Sequence, residues 1–122
     1  MVPVKQDIFF NDIKGRRGNC FQAAIASILE LPLNHVPHFA ELDDTWFDMA
    51  CHFIKQYGFD IYDCYAEELP YIKGSYVLVI GKSERGCNHS VIYQNGKLVH
   101  DPHFSNAGVI DISWCAVIKK II

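Results

Sequence analysis

From Ser75 to Ile80 the chain reads Ser-Tyr-Val-Leu-Val-Ile, an apolar run without the alternation of a half-exposed strand. Such a run suits a strand buried on both faces, so it asks for a sheet with packing material on each side. Neighbouring segments supply the other strands. Ser90-Val91-Ile92-Tyr93 and Lys97-Leu98-Val99-His100 flank Asn95-Gly96, a dipeptide that favours a tight hairpin turn. Phe59-Asp60-Ile61-Tyr62 alternates, and Ala116-Val117-Ile118 belongs to a last strand.

The first half is patterned differently. Trp46, Met49, Ala50, Phe53, Ile54 and Tyr57 recur at helical spacing and form one apolar stripe. Thr45 is placed to cap this helix, with Asp48 three residues on in a capping-box position, and Gly58 ends it. An earlier helix is expected from Cys20 to Leu29, since Pro32 bars its continuation. A short turn is expected in Leu33–Val36, and the stretch up to Gly18 is extended or irregular. Helices followed by strands indicate α+β: N-terminal helices packed on a C-terminal antiparallel sheet of four to six strands. With 122 residues and no linker or repeat, the expectation is a single domain over 1–122.

Half of the residues are hydrophobic and a fifth charged, the balance of a globular chain. A net charge of -3 provides no electrostatic footprint for nucleic acid. No apolar run reaches bilayer length, and the first residues lack the apolar core of a signal peptide, so a cytoplasmic protein without a membrane partner is expected. The five cysteines are an odd, scattered set with no CxxC pair, which suggests free thiols in a reducing compartment. Cys51, Cys64 and Cys115 fall in apolar segments and read as buried packing residues.

Cys20 stands apart. It follows Gly18-Asn19, where a turn becomes a helix, and a helix N-terminus stabilises the thiolate that makes cysteine reactive. Asn88-His89-Ser90 and His100-Asp101-Pro102 come later in the chain. A histidine can take the thiol proton, and a carboxylate on its other nitrogen can hold it in one tautomer. The tetrahedral intermediate of acyl transfer also needs oxyanion donors. The Cys20 backbone N–H is one, and Gln6 and Asn19 are the side-chain amides available upstream. Lys14, Arg16 and Arg17, just before Cys20, read either as a solvated loop or as charge that lowers the thiol pKa or grips an acidic substrate.

Gln6, the segment Gly18-Asn19-Cys20-Phe21-Gln22-Ala23-Ala24-Ile25-Ala26-Ser27, then Asn88-His89-Ser90-Val91 and His100-Asp101-Pro102 together resemble papain-like cysteine peptidases. The likeness is to the compact bacteriocin-processing (double-glycine) peptidases and their peptidase-like relatives, and it covers Gln6 to about Pro102. It implies Cys20 as nucleophile, His89 as base, Asp101 as orienter, Gln6 as oxyanion donor, no cofactor, and a peptide or protein substrate. Two departures carry consequences. Gln6 precedes Cys20 by fourteen positions, so an intervening loop must fold out for Gln6 to reach the site. The chain is also short, with little material for a long substrate groove.

The hairpin adds a geometric condition. In a regular two-residue turn at Asn95-Gly96, His89 faces Pro102 and Asp101 points to the other side of the sheet. A three-residue loop or a bulge brings Asp101 to the side of His89, since a one-residue slip reverses every side chain. Two other readings compete with an enzyme. One is a papain-like scaffold used for binding or inhibition, as in a phage or mobile element. The other is a zinc module built on Cys87, His89, His100 and His103.

Overall fold

The computed structural model describes residues 1–11, 13–15 and 17–121. The architecture is α+β. Helix α1 (Cys20–Leu29) and helix α2 (Trp46–Gln56) precede a five-stranded antiparallel sheet of β1 (Phe59–Cys64), β2 (Tyr76–Lys82), β3 (Asn88–Gln94), β4 (Lys97–His100) and β5 (Asp111–Lys120), in the order β1-β5-β2-β3-β4. Short 3-10 turns at Leu33–His35, Phe39–Glu41 and Ala66–Tyr71 link the elements. No helix among the described residues is long and apolar enough to cross a membrane.

The apolar run behaves as its composition asks. On one face of β2, Leu78 packs with Ile92 and Ile118 against α1 and α2. On the other, Val77 and Val79 pack with Val91, Cys115 and Val117, and Leu69 from the third 3-10 turn covers them. Helix α1 is buried from Phe21 to Leu29. Its alanines, with Ala23, Ala24 and Ala26 fully enclosed, let the helix sit close to the sheet and leave little of its surface to water.

Three expectations about local detail need correction. Thr45 makes no side-chain cap on α2. Its hydroxyl and N–H both donate to the Asp43 carboxylate, at 2.7 and 3.0 Å, so Asp43 captures the group that would have capped the helix. Of the cysteines read as packing residues, Cys115 is buried, while Cys51 and Cys64 are only half-buried. Cys64 faces Cys115 across β1 and β5, with their sulfurs 3.2 Å apart.

The hairpin that bears on the site is a two-residue turn with an added bulge. Asn95 and Gly96 have φ of 55° and 78°, and Gln94 pairs with Lys97. Two successive positive φ values are what an Asn-Gly turn matched to strand twist requires. Tyr93 pairs with Leu98, but Ile92 pairs with His100, leaving Val99 as an extra residue. The bulge shifts the register by one and carries Asp101 to the side of the sheet on which His89 stands. Removing Val99 yields an unbulged hairpin that keeps His100 opposite Ile92. Deletion of Val99 is therefore expected to preserve the alkylation rate of Cys20. A folded deletion variant with unreactive Cys20 would contradict the register argument.

Candidate active site

The site begins with Asn19. Its side chain does not cap α1. Instead its carbonyl accepts the N–H groups of Asp7 and Ile8, at 3.1 and 2.9 Å, and its amide nitrogen donates to the Asp7 carboxylate and to Gln22. The Asn19 N–H donates to the Ile8 carbonyl. Residues 6–8 are thereby strapped across the start of α1, with Ile8 paired to Asn19 and residues 13–15 between them exposed. That is the excursion the Gln6–Cys20 spacing requires. Gly18 lies within the strap, where a Cβ would stand 3.1 Å from the Phe10 nitrogen and 3.2 Å from the Gln6 amide nitrogen. A side chain at residue 18 would crowd Gln6. With no side-chain cap, the first-turn N–H groups of α1 remain to serve Cys20 and whatever binds beside it.

Cys20, His89, Asp101 and Gln6 come together. His89, at the start of β3, is buried and directs Nε2 at Asp101 Oδ1, 2.5 Å away. Its other nitrogen is the one left for the Cys20 thiol, which lines the same cleft and is electrostatically coupled to the ring. Asp101 is also buried. Oδ1 accepts the His103 N–H at 2.8 Å and Oδ2 accepts the Gly108 N–H at 2.7 Å. With both oxygens engaged, the carboxylate is fixed in orientation and compensated for burial.

The electrostatics follow from these contacts. Burial pushes the Cys20 thiol up, but the hydrogen bond and charge of His89, with hydrogen bonding from Ser90, pull it down further and leave it below the ordinary 9.0. Burial disfavours a charged His89, yet its bonds to Asp101 and Cys20 outweigh that and raise it from 6.5 to about 9. Burial likewise opposes an ionised Asp101, and the bonds from His89, Gly108 and His103 lower it from 3.8 to about 2. The coupling favours the thiolate of Cys20 beside an imidazolium and a carboxylate, the charge state suited to nucleophilic attack.

Cys20 and His89 open on a cleft of about 270 Å³, which Gln6, Phe9, Phe10, Arg85 and His103 help to line. Gln6 is held by its own N–H on the Pro102 carbonyl at 3.0 Å and by its side-chain amide on the Ile8 carbonyl at 2.9 Å. One amide hydrogen is thus used and a second remains for an oxyanion. Asn19, the other amide considered, is spent on the strap. A smaller recess of about 220 Å³, bordered by Arg17, Phe21, Trp46 and Ile80, adjoins Cys20 and His89 as well.

Sequence reasoning missed Ser90, which supports the thiol, and Gly108, which holds the carboxylate from a loop seven residues on. No spacing rule ties either to Cys20. Of the basic cluster, Arg17 borders the smaller recess, Lys14 is exposed, and Arg16 lies outside the described residues. His103 lines the cleft. The zinc reading loses its geometry. His100 spends Nε2 on the Val4 carbonyl at 2.8 Å, and among the described residues no three His, Cys, Asp or Glu side chains converge as a metal site would need. Compared with protein-family models, curated proteins and solved structures, the chain matches none.

The two shifted pKa values define a stability window. His89 binds its proton more tightly when folded, so its contribution is complete below the ordinary 6.5 and is lost as pH rises through about 9. Asp101 releases its proton more readily when folded, so its contribution is present above 3.8 and is lost as pH falls through about 2. Histidine NMR should therefore place the His89 midpoint near the alkaline value in the native protein and move it toward 6.5 in Asp101→Asn. An unmoved midpoint would show that Asp101 does not charge the ring.

Proposed function

We propose that this chain is a papain-like cysteine hydrolase or acyl transferase that acts on an amide, isopeptide or thioester bond. The observation that carries the reading is that Cys20, at an uncapped helix N-terminus, shares one cleft with His89, which is hydrogen-bonded to the buried Asp101. The Cys20 thiolate attacks the carbonyl carbon, and the carbonyl electrons move onto oxygen. The Cys20 N–H and the free Gln6 amide hydrogen receive that oxyanion. As the tetrahedral species collapses, the protonated His89 gives its proton to the departing amine or thiol. An acyl group then remains on sulfur. Neutral His89 next takes a proton from water or an amine, which attacks the thioester and frees Cys20. Asp101 holds the ring in position through both transfers.

The cleft suits a peptide or protein substrate that presents an accessible strand or tail. No cofactor is needed for this chemistry. The free thiols fit a cytoplasmic setting, where a low-pKa cysteine stays reduced.

Two variants separate nucleophile from oxyanion donor. Cys20→Ala is expected to abolish turnover and labelling by an acyl-directed thiol probe, and retention of both would remove the reading. Gln6→Ala is expected to lower kcat by about 10²–10³-fold, the usual cost of one oxyanion donor, while simple alkylation of Cys20 changes little. Full acyl-transfer activity in Gln6→Ala would take Gln6 out of the mechanism.

A further inference from the structure

We propose that Arg85 is a carboxylate-binding subsite of this cleft, and that the substrate carries an acidic group on the Gln6 side of the bond attacked. The proposal rests on the cysteine-nucleophile reading and adds the charge of the substrate. Arg85 sits in the turn between β2 and β3 and borders the cleft beside Gln6, Phe9, Phe10 and His103. Among the described residues no Asp or Glu borders that cleft. Yet the chain as a whole carries a net charge of -3, so a cleft walled by an arginine and aromatic rings runs against the general charge of the protein. Among the described residues no carboxylate pairs with Arg85.

The guanidinium is placed, not merely present. The turn that carries it is closed by buried Ser83, whose N–H and hydroxyl both donate to the Cys87 carbonyl, at 2.9 and 3.0 Å. Arg85 Nη1 donates to the Ser105 hydroxyl oxygen at 3.1 Å. That hydroxyl meets His103 Nδ1 at 2.8 Å, where the N–H of Ser105 also donates. Nδ1 is therefore the unprotonated acceptor of a neutral ring, and Ser105 gives its hydroxyl proton to it. His103 in turn donates its backbone N–H to Asp101. One loop thus orients both the triad carboxylate and Arg85. A single N–H of the guanidinium is used on Ser105, which leaves the rest of its fork for a two-point bond to a carboxylate. The rings of Phe9, Phe10 and His103 line the same cleft and offer an apolar wall beside the exposed guanidinium.

The test uses two electrophiles that differ only in charge: N-iodoacetyl-glycine, whose carboxylate extends past the reacting carbon, and its neutral N-methylamide. Second-order rates of Cys20 alkylation are measured in the native protein, Arg85→Gln and Ser105→Ala. The carboxylate probe should react faster than the amide with the native protein, and added salt should erase the difference. Arg85→Gln should slow the carboxylate probe by about tenfold and leave the amide unchanged, and Ser105→Ala should fall between. Equal slowing of both probes would make Arg85 a structural residue, and no slowing of either would also overturn the proposal. Sluggish labelling by both probes, with the Arg85 preference intact, would instead count against the nucleophile and leave the subsite standing.

Discussion

The bond between Asp101 and His89 is the constraint on which the rest of this structure turns. Both groups are buried, and a buried ionised carboxylate is tolerated only when its oxygens are satisfied. Three donors meet that need from three places in the chain: the β3 histidine, the His103 N–H and the Gly108 N–H. The loop after β4 is therefore folded around the carboxylate. Removing the acid alone would leave two N–H groups and a protonated ring facing no acceptor, which is costlier than losing a surface ion pair. His89, through hydrogen bonding and then through its charge, is in turn the main influence lowering the Cys20 thiol pKa.

A second set of hydrogen bonds places Cys20. Asn19 gives up the capping role that its position suggests and ties residues 6–8 across the start of α1. The tie delivers Gln6 to the cleft and leaves the first helical turn uncapped. An orphan N–H at a helix start is a cost in an ordinary helix and an asset where an oxyanion forms. Gly18 completes the arrangement by leaving room for the amide of Gln6.

Much of this was legible in residue order and pattern. The two-face burial of Val77–Val79, the limits of α1 and the apolar stripe of α2 follow from periodicity and from Pro32. So did the grouping of Cys20, His89, Asp101 and Gln6, because their types and contexts point to one chemistry. The rest depended on tertiary competition. Thr45 lost its cap to Asp43, two residues away. Asn19 could have served the oxyanion or the backbone, and only the path of residues 6–8 decides between them. The bulge at Val99 is one of several registers an Asn-Gly hairpin allows, and it is the one that puts Asp101 on the side of His89, where its donors lie. Contacts such as Ser90 to Cys20 and Arg85 to Ser105 join loops and strand ends that no local pattern relates.

The central claim is that His89 keeps Cys20 ionised at neutral pH. Thiolate ultraviolet absorbance measures this directly, as the difference between the native protein and Cys20→Ser across a pH titration. The account predicts a signal worth one thiolate per chain at neutral pH, which moves into the ordinary thiol range when His89→Ala is compared in the same way. A difference signal that appears only near the ordinary 9.0 in the native protein would contradict it.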